Sequence, residues 1–302
     1  MSGKLVLTVN PYNDSRAPRR QGAFIVGEWN DALERELRDA GVKALYLNSA
    51  RGWRSEDFGF LGKLEFIEQL HIVCSEAEKL EALEMMRGLV DLSITAFTRS
   101  RVDFTKIRSL RSCELNWWPA GKSILECCWL QHLRLDGAKT VSWDQLEAFR
   151  ELEELTLTYS NVVDVGFIRS LKALHKLEFS SCRKITSFDP LLDRPSLQWL
   201  RIDHFKDIGD IEFVRNLTEL EVLILSDTGK IASLAPVQKL RKLQALSFSG
   251  STVIVNGNLG CLEELPKLAM LMFAPRRHYT HRLIKPWNWN NRKNPDVLLG
   301  KK

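Results

Sequence analysis

The sequence predicts an α/β solenoid, a pile of short parallel strands each joined to the next by a short helical segment, and three observations predict it. The pattern Leu-x-x-Leu-x-Leu recurs eleven times between residues 42 and 273, ten of its eleven middle positions are leucine, and its final positions follow one another at 20 to 25 residues. The middle positions are Leu45, Leu70, Leu92, Cys113, Leu133, Leu155, Leu177, Leu200, Leu223, Leu246 and Leu271. The final positions are Leu47, Ile72, Ile94, Leu115, Leu135, Leu157, Phe179, Ile202, Leu225, Phe248 and Phe273. A repeat of that length is a single supersecondary unit that cannot bury its apolar side alone, so successive copies must stack.

Within each copy the Leu-x-Leu pair alternates at period two, as a short strand does when one face is buried. Between strands the later copies share Ile185-Thr-Ser-Phe188-Asp-Pro-Leu191 and Ile231-Ala-Ser-Leu234-Ala-Pro-Val237, followed by Leu197 and Leu243, which open the next motif. Proline suits the start of a short helical turn, where its missing N–H would be unbonded anyway. At these residues the chain resembles the bacterial internalin-like and SDS22-like class of leucine-rich repeat, over about three-quarters of its length. The resemblance implies a leucine-rich-repeat horseshoe, with a parallel concave sheet of about eleven short strands and short helical or 3₁₀ segments on its convex back.

Stacked coils need end caps with a polar outer face. At the front, Lys4-Leu-Val-Leu-Thr-Val9 and Ala23-Phe-Ile-Val26 read as two strands, followed by an amphipathic helix near residues 30–40. Asp31 and Glu34 have capping-box spacing, Leu33 and Leu37 share a face, and Gly41 supplies the stop. The domain reading is thus a cap over 1–41, the solenoid over 42–274, and a basic C-terminal cap or tail over 275–302 that carries Trp287 and Trp289.

Composition narrows the function classes. An apolar share of 44% in 302 residues suffices for a continuous core. The start lacks an uninterrupted apolar segment and no run approaches the length of a membrane span, so a cytoplasmic protein with no membrane partner is expected. The six cysteines are scattered, with no Cys-x-x-Cys, as reduced and mostly buried thiols would be. The net charge of +5 is local: eight of the 43 basic residues and one of the 38 acids lie in 275–302, leaving 35 against 37 elsewhere. Attraction to nucleic acid would have to rest on that tail, in which Arg276 to Arg282 interleaves basic and aromatic residues, and nucleic acid is not the expected partner.

The residues beside the middle leucine point away from the core and are expected to line the concave face. Between the last two motif residues they run Tyr46, His71, Ser93, Glu114, Arg134, Thr156, Glu178, Arg201, Ile224, Ser247 and Met272, and Trp199 precedes Leu200 on the same face. Beyond the final position come Trp117, Tyr159 and His204, and Asp136 and Asp203. Aromatics and arginines among acids make the composition of a protein-binding patch, with Glu114, Trp117, Arg134, Asp136, Tyr159, Glu178, Trp199, Arg201, Asp203 and His204 as its expected contacts. A plainer reading is that Glu114 beside Arg134, and Glu178 beside Arg201, neutralise one another across strands about 4.8 Å apart.

No catalytic constellation stands out. Asn116-Trp-Trp-Pro-Ala-Gly121-Lys122-Ser123 has asparagine where a phosphate-binding loop needs its first glycine, and two tryptophans where backbone N–H groups should face phosphate. Gly137-Ala-Lys139-Thr140 is a weaker echo. His278-x-x-His281 has no cysteine near it and reads as a loop pair, and no spacing selects a Ser-His-Asp set. Cys127 and Cys128 read as core packing. The expectation is therefore a monomeric, non-enzymatic recognition protein without metal or cofactor. It would bind a protein ligand on its concave face, as an inhibitor or immunity-like protein by analogy of fold. The alternatives are an SDS22-like regulatory subunit that directs an enzyme, and nucleic-acid binding through the tail.

Overall fold

The computed structural model describes residues 3–9, 21–283 and 299–301, and the chain divides into two compact units, Met1–Ala138 and Lys139–Lys302. Trp287 and Trp289 lie outside the described residues.

In the first unit β1 (Lys4–Val9) pairs antiparallel with β2 (Gln21–Val26), α1 (Ala32–Asp39) follows, and β2 pairs in parallel with β3 (Ala44–Asn48). Parallel pairing then runs through β4 (Gln69–Glu76), β5 (Asp91–Phe97), β6 (Ser112–Asn116) and β7 (His132–Asp136). In α1, Leu33 and Leu37 are buried as their spacing requires, and Gly41 takes φ +63°. The capping box does not form. Asn30 Oδ1 accepts the N–H of Ala32, while Asp31 turns to Lys63 at 2.8 Å and Glu34 to Arg38 at 3.2 Å.

The second unit contains β8 (Glu154–Thr158), β9 (Lys176–Ser180), β10 (Trp199–Asp203), β11 (Val222–Ser226), β12 (Lys230–Ile231), β13 (Ala245–Phe248), β14 (Val253–Ile254), β15 (Met270–Phe273), β16 (His281–Leu283) and β17 (Leu299–Lys301). Strands β8, β9, β10, β11, β13 and β15 pair in parallel in that order, β12 pairs with β14, and β16 pairs antiparallel with β17. Among the described residues the repeat motif thus yields five strands in the first unit and six in the second, the eleven expected; β1 and β2 bring the strands of this kind to thirteen.

Register explains the core. Like motif positions pair directly, Leu177 with Leu155 and Leu200, and Phe179 with Leu157 and Ile202, so the leucines form continuous rows. Every middle-position side chain is at most 2% exposed, and Cys113 fills its row as completely as the leucines do. The return segments are 3₁₀ turns rather than α-helices. With about ten residues to reverse direction, the tighter winding spans more length per residue. Pro119, Pro190 and Pro236 start three of them. At the end of the second unit Tyr279 is 2% exposed against Phe248 and Phe273, and its hydroxyl accepts the N–H of Ile254 at 3.0 Å.

Candidate functional site

The ten expected contact residues divide between the units. Glu114, Trp117, Arg134 and Asp136 belong to the first; Tyr159, Glu178, Trp199, Arg201, Asp203 and His204 belong to the second.

In the second unit, pairing places Glu154, Lys176 and Trp199 in one row of the strand face and Thr156, Glu178 and Arg201 in the next. Lys176 Nζ lies 3.2 Å from Glu154 and 3.6 Å from Glu178, and 5.5 Å above the Trp199 ring. Glu178 is therefore held by Lys176 and not by Arg201. The Arg201 Nε donates to Asp203 Oδ2 at 2.5 Å, because residues two apart on a strand share a face. Asp203 departs from the expected open position: it is 1% exposed, walled in by Arg201, His204 and Ser180. Burial alone would raise its pKa, yet bonds from Ser180, Arg201 and His204 outweigh that and hold the carboxyl below its ordinary value. It positions its neighbours and is not itself presented. The face also closes elsewhere, with Tyr46 3%, Ile224 9% and Ser247 6% exposed.

Tyr159 and His204 are not strand residues. Each occupies the turn just after its strand with positive φ, +49° and +58°, and Ser181 and Asp227 repeat the conformation at +55° and +53°. Their N–H groups continue the inter-coil ladder, bonding to the carbonyls of Ser180, Ser226, Asp203 and Ser249 of the next coil. A left-handed turn costs a non-glycine residue on the order of 1 kcal/mol, offset here by that hydrogen bond. It throws one side chain per coil onto the rim, and Tyr159 is 61% exposed. His204 Nδ1 stands 3.2 Å from Asp203 and Nε2 3.9 Å from Asp227, so both ring nitrogens face carboxylates.

In the first unit Arg134 is exposed, beside Glu114 in register, and Asp136 is half-buried, its carboxyl pushed up by desolvation against the opposing pull of Arg134. Trp117 follows β6 and donates its backbone N–H to Asp136 O at 2.8 Å. Trp118, 5% exposed, pins that turn, with its indole N–H on Ser100 O at 2.8 Å and its ring over Gly121, where a Cβ would come within 2.7 Å. The stretch that echoes a phosphate loop is thus filled by its own indole, and Ser123 bonds Phe104 N and Val102 O. Sequence reading overlooked Phe97 and Arg99. Phe97 ends β5 and is 60% exposed, and the Arg99 guanidinium lies 5.6 Å from its ring. The signal available was an apolar residue out of phase with the leucine rows.

Among the described residues no group of three or more His, Cys, Asp or Glu is arranged to hold a metal ion. His278 bonds Ile254 O, and His281 is buried between Thr280 and Glu263. All six cysteines are free; Cys127 is buried, whereas Cys128 beside it is exposed. Among the described residues no helix is long and apolar enough to cross a membrane.

No protein-family model and no curated protein matches the sequence. Solved structures do. An internalin of Listeria monocytogenes superposes with a TM-score of 0.60 at 18% identity, covering 84% of this chain and 83% of its own. Internalin C2 of the same organism has a TM-score of 0.48 at 22% identity over 58% of this chain and 77% of its own. A leucine-rich-repeat protein of Leptospira interrogans gives 0.48 at 15% over 80% and 74%. The fold is that of a leucine-rich-repeat solenoid like the internalin it superposes on.

Proposed function

We propose that the protein is a non-enzymatic recognition scaffold that engages a protein ligand through the strand face and rim of its coils. The observation that carries this reading is the row of the second unit around Trp199. A half-exposed indole, whose N–H has no acceptor among the described residues, lies under the Lys176 ammonium at the start of β10, with Arg201 two residues on along the same strand face and exposed Tyr159 in the turn at the far end of β8. Half-exposed tryptophan, tyrosine and arginine beside buried positioning groups form the composition in which binding energy concentrates. Six free cysteines, three of them buried, support a reducing compartment such as the cytoplasm. Binding itself would be the effect, as inhibition or sequestration of the partner.

The experiment is to purify the full chain from its native cell and identify the protein that accompanies it. The partner's activity is then assayed with wild type and with Trp199→Ala/Arg201→Ala. Loss of capture in the variant, assayed at a temperature where circular dichroism shows it still folded, supports the reading. Undiminished capture removes the strand face of this unit as the binding surface.

A further inference from the structure

We propose that a groove between the turns after β5, β6 and β7 is a docking socket for an acidic segment of a partner protein, one carrying a carboxylate beside a bulky apolar side chain. This rests on the protein-recognition reading and deepens it.

The groove encloses about 510 Å³. It is lined by exposed Phe97 with Arg99, by Trp117, Pro119 and the pinned, buried Trp118, and by Asp136. It offers a cation and an exposed ring. Among the described residues no carboxylate lies within ion-pairing reach of Arg99, whose guanidinium rests on the Phe97 ring. A guanidinium without a counter-charge gains from a carboxylate brought beside it. An exposed aromatic ring gains likewise from an apolar neighbour. One ligand chemistry satisfies both: acceptor oxygens of negative charge adjoining an aliphatic or aromatic group.

The acid in the groove does not reverse this. Asp136 is half-buried, and Arg134 opposes its charge. Arg99 is the cation that lines the groove.

Nucleic acid fits the surroundings less well. Residues 98–101 also line a second cavity, of about 770 Å³, with Glu76, Glu78 and Glu81 facing it beside Arg101 and beside Lys79, which Asp57 engages. A run of phosphates leaving Arg99 in that direction would meet these carboxylates. A polypeptide can change the sign of its charge from one residue to the next, placing an acid by Arg99 and a base by the glutamates.

The test immobilises the full chain and selects from a displayed library of random short peptides on wild type, Phe97→Ala and Arg99→Glu, both at exposed positions, with melting curves to confirm folding. Wild type is expected to enrich peptides bearing Asp or Glu within two residues of Leu, Phe or Trp. Synthetic copies should lose about tenfold or more in affinity on Phe97→Ala and on Arg99→Glu, as at an interface hot spot. Lysine in place of the acid should recover binding on Arg99→Glu. Enriched peptides without an acid, equal enrichment on all three proteins, or none on wild type would each overturn the proposal. So would single-stranded oligothymidine competing for the groove through Arg99. Trp199→Ala/Arg201→Ala should leave peptide selection unchanged, which separates failure of this socket from failure of the strand-face reading.

Discussion

Arg201 is held by Asp203, two residues further along its own strand at 2.5 Å, and not by Glu178, which stands directly beside it on β9 and is engaged by Lys176. A residue offered at the surface is thus oriented by a carboxylate that is 1% exposed.

Removing the guanidinium leaves a buried charge with fewer donors. Arg201→Ala is expected to lose about 1–3 kcal/mol of unfolding free energy, measured by urea titration. Arg201→Ala/Asp203→Asn should lose less than Arg201→Ala alone, since the amide needs no counter-charge. Equal losses would mean that the two side chains do not act together.

The same carboxylate gives a signed pH dependence. Its burial is outweighed by the bonds from Ser180, Arg201 and His204, so its folded pKa lies below the ordinary 3.8. A carboxyl group depressed on folding contributes stability above its unfolded pKa and loses it as pH falls through the folded value. Wild type should therefore lose stability as the pH is lowered from about 5 toward about 2, and Asp203→Asn should lose less over that range. Parallel curves for the two proteins would contradict the assignment.

The thiols should separate by reactivity. Burial pushes Cys127 up to about 12 and Cys74 and Cys261 up to about 11, and it drives the wholly enclosed Cys113 well above its ordinary value. The thiolate is the reacting form. With iodoacetamide near neutral pH, Cys128, which is exposed, should be alkylated first, and Cys113 and Cys127 only after denaturation. Peptide mass mapping reads the order; early labelling of Cys113 would be inconsistent with this packing.

Two glycines of like conformation should respond unequally to a methyl group. Gly137 has φ +78° and open space where a Cβ would sit, so Gly137→Ala should cost about 1–2 kcal/mol, the backbone penalty alone. Gly229 has φ +69°, and its Cβ would fall 2.0 Å from Lys206 O, so Gly229→Ala should cost more than about 3 kcal/mol. Thermal melts of the pair give the comparison.

Residue spacing made the fold readable because each leucine row is determined by register, and register follows from the period. The strand-end turns and the two units were harder to see. The residue types of Tyr159 and Ser181 do not announce a positive φ, and histidine and aspartate at 204 and 227 only favour it weakly; the conformation is held by bonds to the next coil's carbonyls. Asp203 reads as an exposed acid beside a strand until its neighbours on β9 and β10 surround it. The expected capping box at Asp31 failed because Lys63, 32 residues away, competes for the carboxylate. Phe97 and Arg99 lie outside the leucine rows, and their one mark in the sequence is that Phe97 is apolar out of phase with those rows.

The left-handed turn after a strand has a consequence for variation. Because its hydrogen bonds come from the main chain, its geometry does not depend on which side chain it bears, and tyrosine, serine, histidine and aspartate already occupy it in successive coils. Such a row works like interchangeable type set in a fixed frame. A lineage can rewrite the surface of that rim one character at a time, and the leucines beneath need not change.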